Sequence, residues 1–329
     1  MSAERTGEAA ASGPALPRPM VAARDAFGQA LVDLGAADPR VVVLDADLAT
    51  STKVSMFAAA YPDRFFEVGI AEQNMTSIAA GLATMGFVPF TSTFACFASK
   101  RATDQIRIGI AQPRLGVVIT GAYSGLLAGK TGKTHQSVQD IAILRSMPEM
   151  TVIVPGDAVE VRAAVFAAAE YGAPIYLRLT RDPSPVVFGD DYDFRIGVAV
   201  TVREGADVTV MTTGLMLPRA LEAADTLAAE GIQAHVLHVP TVKPLDVKAV
   251  VEAAERTGLV VTAEEHNVLG GLGGAVAEVL GEHRPTLMRR VGIRDTFGES
   301  APNDQLLQKY GLTAHDVAQA CRELTATRR

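Results

Sequence analysis

Cysteine is scarce in this chain of 329 residues, and blocks of positive charge are missing. Its two cysteines, Cys96 and Cys321, stand far apart and form neither a disulfide framework nor a paired metal motif, which favours a reducing cytoplasm. The net charge is −7 without any Lys/Arg-rich segment, so nucleic acid is not an expected partner. No apolar run reaches the roughly 18 residues that span a bilayer, and no membrane partner is predicted.

Length and composition favour a two-domain α/β protein. A chain of this size exceeds one ordinary hydrophobic core, and 48% hydrophobic residues with 29 glycines suit alternating strands and helices. The sequence predicts a flexible tail over residues 1–19, a first domain over 20–182 and a second over 195–329. A linker rich in proline and acid, 183–194, separates the two domains.

Strand and helix patterns alternate in both predicted domains. Between the short apolar runs lie segments of helical periodicity, such as AEQNMTSIAAGLATMG, so both domains should be doubly wound with mostly parallel sheets. In the first domain the predicted strands are VVVLDAD, FFEVGI, LGVVIT, MTVIVP and PIYLRL, and in the second ADVTVMTTG, IQAHVLHVP and LVVTAEE.

Several patterns imitate ligand sites without meeting their requirements. The run GKTGKT lacks the glycine spacing with which a phosphate loop wraps a nucleotide, and Gly270–Gly274 misses the GxGxxG spacing of a dinucleotide site. His235 and His238 favour a packing or solvent role. No cluster of histidines or acids has metal-ligand spacing, so no metal site is predicted in this chain.

Three segments carry the residues of greatest chemical interest. Glu72 follows a predicted strand and lies in the first turn of a predicted helix. An acid at this position often serves only to interact favourably with the helix dipole. Phe94 and Phe97 stand three residues apart in a chain poor in aromatics, and taken alone this helical spacing favours core packing. His135 lies in a glycine-rich loop after a strand, a place where a histidine can serve a ligand.

Taken in order along the chain, these segments resemble the transketolase family. The likeness runs from about residue 20 to the C-terminus, and the chain is similar to the C-terminal section of transketolases that are split into two subunits. It is carried by DADLATS, EVGIAEQNM, STFACFAS, THQSVQDIAILRSMPEMTVIVPGDAVE and EEHNVLGGLGGAVAE. The resemblance implies a pyrimidine-binding domain followed by a transketolase C-terminal domain.

The resemblance also implies a thiamine diphosphate site. Glu72 matches the glutamate that shares a proton with N1′ of the aminopyrimidine, a task that needs a buried carboxyl group. Phe94 and Phe97 match aromatics that pack on that ring, and Asp47 matches an acid near the cofactor and the subunit interface. His135 matches a substrate-side histidine that hydrogen-bonds the carbonyl or hydroxyl groups of the donor.

Further positions match the substrate side, and some of them depart from the family pattern. Arginines suit the bidentate geometry of a sugar phosphate. Thr131 replaces an aspartate that binds a donor hydroxyl, Tyr123 stands where a histidine is usual, and Lys130 and Lys133 add charge. The predicted substrate-binding residues are Arg24, Ser51, Arg101, Tyr123, Thr131 and Arg181.

The G-D-G…N motif with which the family holds the diphosphate and Mg²⁺ is missing from this chain. The resemblance therefore implies an N-terminal, diphosphate-binding partner subunit in an α₂β₂ assembly. The expected reaction transfers a two-carbon ketol, or related acyl, unit from a ketose-type donor to an aldehyde. Two alternatives stay open: the β-subunit of a 2-oxo acid dehydrogenase or acyloin-forming enzyme, which would use a 2-oxo acid, and a non-catalytic scaffold subunit.

Overall fold

In the computed structural model, which describes residues 18–328, the first half of the chain builds most of a seven-stranded sheet. Its central strands are continuous apolar runs buried on both faces, as parallel strands covered by helices require. The strands of this half are β1 (Met20–Ala22), β2 (Val41–Asp45), β3 (Phe65–Glu67), β4 (Val88–Phe94), β5 (Val118–Ala122), β6 (Thr151–Ile153), β7 (Ile175–Arg178) and β8 (Pro183–Pro185).

Helices cover both faces of this sheet and bury two separate apolar clusters against it. The helix Ala158–Tyr171 has typical capping residues at both termini. Asp157 caps its first turn by accepting from the Glu160 N–H, and Gly172 terminates it at φ +68°. The helices are α1 (Ala23–Ala37), α2 (Ala49–Thr52), α3 (Ser55–Ala60), α4 (Glu72–Thr84), α5 (Ala95–Arg101), α6 (Thr103–Gln105), α7 (Asp140–Ser146) and α8 (Ala158–Tyr171).

The second half of the chain forms a five-stranded sheet in the order β14-β13-β10-β11-β9, in which β9 alone is antiparallel. Its strands are β9 (Val200–Arg203), β10 (Val208–Thr212), β11 (Ala234–His238), β13 (Leu259–Asn267) and β14 (Leu287–Ile293), with β12 (Thr241–Lys243) set apart. Its helices are α9 (Met216–Ala229), α10 (Val247–Thr257), α11 (Leu272–His283), α12 (Asn303–Lys309) and α13 (Ala314–Ala326).

One strand leaves the second half of the chain to complete the first sheet. β12 pairs antiparallel with β6, so the order of the large sheet is β12-β6-β7-β5-β4-β2-β3. Every other neighbour pair in that sheet is parallel. The two halves of the chain are therefore joined by a common sheet in addition to the contacts between them.

Buried polar groups line the interface between the halves. The Arg178 guanidinium bonds Asp140 Oδ2 at 2.7 Å and donates to the Glu265 carbonyl at 3.0 Å. Glu264 accepts from the N–H groups of Leu272 and Gly273 at 2.7 and 2.8 Å. Since its carboxylate occupies the start of α11, the glycine-rich turn there serves an internal acid, in agreement with the rejection of a dinucleotide site.

The predicted fold class, two doubly wound α/β units with mostly parallel sheets, is confirmed. The expected strands did not include β1, β9, β12 or β14. They also did not include β4, where Pro89 and a run of Ser and Thr interrupt the apolar pattern. β8 falls at the start of the predicted linker and pairs with β1. The domain boundaries stay predictions, and the predicted tail lies outside the described residues except at positions 18 and 19.

The two histidines of β11 are both buried, as packing residues should be. His238 Nε2 lies 2.7 Å from Glu160 Oε2, while His235 contacts the hydroxyls of Thr201 and Thr209. Both cysteines are buried and free. Among residues 18–328, no helix combines the length and apolar character that crossing a membrane requires.

Candidate active site

The candidate site lies where the large sheet reverses its winding direction. From β2 the chain runs outward to β3 and then returns to β4 on the other side of β2. Crevices at the carboxyl ends of strands beside such a reversal are the usual ligand sites of open α/β sheets. The ends of β2, β4 and β5 meet here and carry Asp45, Phe94 and Tyr123 within or directly after the strands.

Glu72 is the first residue of α4, and its side chain is only 1% exposed. Its Oε2 atom is buried without a hydrogen-bond partner. The nearest cation is Arg101, whose Nη1 lies 3.6 Å from that oxygen and whose side chain is 54% exposed. A buried carboxylate oxygen without a donor is costly, so this atom is suited to accept a hydrogen bond from a ligand.

Aromatic rings surround the same corner of the sheet. Phe94 ends β4 and Phe97 lies in the first turn of α5, with ring centroids 5.9 Å apart. His135 meets the Phe97 ring edge-on at 5.4 Å, and its Nδ1 lies 2.8 Å from Thr134 Oγ1. The guanidinium of Arg101 lies 5.3 Å from the centre of the Phe97 ring. The structure thus brings together the acid, the two phenylalanines and the loop histidine.

Tyr123 links the aromatic cluster to two arginines. Its ring stacks on Phe94 at 4.2 Å, and its hydroxyl accepts from Arg24 Nη1 at 2.7 Å. Arg24 also donates to the Ser51 carbonyl at 3.2 Å, and the Arg181 guanidinium lies 5.3 Å from the centre of the Tyr123 ring. The Nε atoms of Arg24 and Arg181 are buried without partners. Two guanidiniums are thus held against one ring, an arrangement whose charge and geometry suit an anion.

Two of the sequence-predicted residues lie further from this cluster. Thr131 is exposed, and its hydroxyl donates to the Ala128 carbonyl within its own turn. Asp47 is also exposed, has φ +60° and donates its N–H to Glu67 Oε1 at 2.9 Å. Their positions at the carboxyl edge of the sheet suit a larger ligand, and the hydrogen bonds given above join them to Ala128 and Glu67, which are not aromatic.

Sequence reasoning missed an acid at the end of β2. Asp45 is fully buried, its Oδ2 accepts from the Leu48 N–H at 2.6 Å, and its Oδ1 has no partner. Burial, opposed by the Leu48 N–H and reinforced by the Glu67 carboxylate, raises the pKa of Asp45 to about 7. The signal for it was its place at a strand's carboxyl end, two residues before Asp47.

The described residues contain no group of three or more His, Cys, Asp or Glu side chains that could hold a metal ion. Within residues 18–328 the site therefore combines aromatic rings and cationic groups without a set of metal ligands of its own.

Comparison with known families agrees with this geometry. The model of the transketolase pyrimidine-binding domain matches residues 19–185, and that of the transketolase C-terminal domain matches residues 197–317. The chain belongs to the transketolase family.

Individual relatives show which kind of transketolase chain this protein is similar to. The chain is 45% identical to the 6-deoxy-6-sulfo-D-fructose transketolase subunit SqwH of Clostridium sp. (strain MSTE9), over 92% of this chain and 94% of that protein. It is 36% identical to an apulose-4-phosphate transketolase subunit of Phocaeicola vulgatus, over 92% of this chain and 97% of that one. Both relatives are separate subunits, and this chain resembles each over nearly its full length.

A solved structure has the same fold over nearly the whole chain. It is described as a split gene transketolase, inactive beta4 tetramer, and it superposes with a TM-score of 0.88 at 50% sequence identity. The match covers 94% of this chain and all of that one. The expectation of a split transketolase section is confirmed.

We expect the buried Asp45 carboxyl to make stability depend on pH. The folded-state pKa of about 7 lies above the unfolded value of 3.8, so the folded protein retains a proton that the unfolded chain releases between these pH values. The contribution of this group to stability is therefore full at low pH and falls as pH rises toward 7. Asp45→Asn removes it at every pH.

Urea denaturation of the wild type and Asp45→Asn at several pH values between about 5 and 8 measures this effect. The free energy of unfolding of the wild type, relative to the variant, should fall as pH rises. A difference that stays constant, or that increases, would contradict the assignment.

Proposed function

We propose that the chain is one subunit of a heteromeric, thiamine-diphosphate-dependent transketolase-like enzyme. It transfers a two-carbon ketol unit from a ketose-type donor to an aldehyde acceptor. The observation that carries this proposal is the buried Oε2 of Glu72, which has no hydrogen-bond partner and is linked through Arg101 to the stacked rings of Phe97 and Phe94. A carboxylate that lacks a donor, linked in this way to two aromatic faces, has the chemistry that an aminopyrimidine ring would complete.

When bound, the cofactor supplies the electron sink for cleaving and forming the carbon–carbon bond. In this chain, Glu72 would hold a proton at N1′ of the pyrimidine, and burial would keep water from competing for it. Phe94 and Phe97 would pack on the ring and fix its plane. Arg101, 3.6 Å from Glu72, supplies positive charge beside the carboxylate.

The substrate side uses the histidine and the arginine corner. His135 lies against Phe97, where its ring could bond a carbonyl or hydroxyl oxygen of the donor. Arg24 and Arg181, held around Tyr123, would bind the anionic end of the sugar, with Ser51 fixing Arg24 through its carbonyl.

A partner subunit would hold the diphosphate and Mg²⁺. Residues 18–328 supply no cluster of metal ligands, which supports a second chain in an α₂β₂ assembly. Exposed apolar side chains stand close to Glu72 in sequence: Ile70 is 73% exposed and Phe66 38%. A partner that covered them would also close the pyrimidine site. The two free, buried cysteines support a cytoplasmic location.

For the donor, we propose a ketose with an anionic group and a changed hydroxyl pattern. The family resemblance implies that Thr131 and Tyr123 stand in place of an acid and a histidine, and Tyr123 is already bonded to Arg24. Lys130 and Lys133 are exposed near the site and add positive charge. The similarity to a subunit named for a sulfonated fructose agrees with an unusual anionic sugar.

Binding of the cofactor should require the partner. We expect the isolated chain to show no saturable binding of thiamine diphosphate with Mg²⁺ by titration calorimetry, because it lacks the ligands for both the diphosphate and the metal. Adding the diphosphate-binding subunit should restore saturable binding. Tight binding to the single chain would disprove the divided site.

Glu72→Gln should abolish turnover while leaving assembly intact. The amide fills the same space but cannot share a proton with the pyrimidine, and loss of such a group costs roughly 10²–10⁴-fold in rate. Exchange of the cofactor's C2 proton, followed by NMR in the assembled enzyme, measures the step directly. Glu149→Gln, an exposed acid paired with Arg114, is the control and should exchange at the wild-type rate.

Xylulose 5-phosphate and fructose 6-phosphate should be poor donors for the assembled enzyme. Each unmatched, desolvated hydroxyl costs about 1–3 kcal/mol, and restoring the acid with Thr131→Asp should raise kcat/KM for these sugars roughly tenfold. A donor panel run on both enzymes makes the comparison, with Thr286→Asp, directly before β14, as the charge control. Ordinary transketolase rates in the wild type, without any gain in Thr131→Asp, would rule out a re-specified donor site.

A further inference from the structure

The loop that carries His135 is closed at its base and has little core of its own. Gly125 and Ser137 pair through both backbone hydrogen bonds, 2.8 and 3.1 Å long, which defines the histidine loop as residues 125–137. Its tip is exposed at Lys130, Thr131 and Lys133. A loop of this length needs outside contacts to hold one conformation.

The apolar part of the histidine loop is buried in the second half of the chain. Leu126 and Leu127 are 0% and 2% exposed and belong to one apolar cluster with Val261 of β13 and Leu306 of α12. That cluster is the core between the second sheet and its helices. The loop thus leaves the first sheet at β5 and inserts its side chains into the other half of the molecule.

A buried carboxylate receives the backbone of the same residues. Glu265 Oε1 accepts from the N–H groups of Leu126 and Leu127 at 2.8 and 3.2 Å. The approach is so close that a Cβ at Gly125, which has φ +70°, would lie 2.2 Å from Glu265 Cδ. This explains a glycine of the loop that the sequence pattern left without a role.

Contacts from the segment before and within α12 hold the other side of the loop. Asn303 Nδ2 donates to the Leu127 carbonyl at 3.2 Å, and Ser300 Oγ donates to the Lys130 carbonyl at 2.6 Å. From within the loop, Gln136 Nε2 donates to the Glu299 carbonyl at 2.9 Å. The backbone before and at the exposed tip, and the side chain of Gln136 after it, are therefore bonded to the second half of the chain.

We propose that the C-terminal half of the chain is a positioning device for the histidine loop. Glu265, Ser300 and Asn303 are positioning residues: they hold the loop so that His135 stays against Phe97, although none of them touches substrate. The inference depends on the proposed function for its catalytic consequence only, because the holding of the loop can be measured in the chain alone.

Trypsin cleavage after Lys130 and Lys133 reports on the loop directly. Both lysines are exposed, but a protease needs the surrounding backbone to leave its hydrogen bonds. The combined substitution Ser300→Ala and Asn303→Ala removes two such bonds, and cleavage in the loop should become about tenfold faster. Asp304→Ala, one residue further along α12 and exposed, is the matched control and should not change the rate.

Two substitutions of Glu265, one conservative and one apolar, test the role of its carboxylate. Glu265→Gln keeps an oxygen that can accept from Leu126 and Leu127, so its loop should be cleaved within about threefold of the wild-type rate. Glu265→Leu leaves both N–H groups without an acceptor and should raise cleavage at least as much as the Ser300/Asn303 variant. If Glu265→Leu does not fold, the Ser300/Asn303 comparison decides. Faster cleavage at all sites along the chain, instead of in the loop, would overturn the proposal.

Turnover with the partner subunit tests the catalytic consequence. The Ser300/Asn303 variant should lose about tenfold in kcat with an unchanged KM for thiamine diphosphate, because Glu72 and the phenylalanines stay in place. Faster cleavage with undiminished kcat would overturn the link to catalysis. A wild-type enzyme without transferase activity would instead refute the proposed function and leave the cleavage result as the measure of loop positioning. Unchanged cleavage in every variant would refute the positioning device itself.

Discussion

The buried guanidinium of Arg178 is the contact on which the arrangement of the two halves depends. Arg178 ends β7 in the large sheet, pairs with Asp140 at the start of α7 and donates to the backbone of β13 in the small sheet. Its side chain is 2% exposed and that of Asp140 is fully buried. Because a buried charge is tolerated only with its partners in place, the two sheets have one favoured relative position.

Much of the fold follows from local patterns. Buried apolar runs separated by helical periodicity gave most of the strands and the parallel topology. β4 lies between β2 and β5 in the sheet. It was missed because Pro89, Ser92 and the neighbouring threonines interrupt the continuous apolar run that usually marks a buried parallel strand. β12 was missed because three residues, Thr241–Lys243, carry too little pattern, and only the partner strand β6 makes them a strand.

The candidate site was predictable to the extent that its residues end strands or begin helices. Glu72 stands at such a position, His135 lies in the loop that follows a strand, and family resemblance then gave them roles. Phe94 ends β4, which the sequence did not predict, so only its spacing from Phe97 and the family resemblance pointed to it. Glu265 was not predictable in this way, because its contact with Leu126 joins positions 139 residues apart. Asp45 looked like an ordinary polar strand end, and its raised pKa comes from packing that no local pattern describes.

The exchange of β12 has a consequence for how the polypeptide can be made and divided. During synthesis, the large sheet cannot gain its last strand until the ribosome has passed Lys243, well into the second half. If the chain were divided at residues 183–194 and its halves expressed separately, the first half would expose the edge of β6. The second half would expose the apolar surface against which Leu126 and Leu127 pack. A gene division between β7 and β12 would therefore leave the large sheet without its last strand. Both sheets are complete only when the two halves lie on one chain.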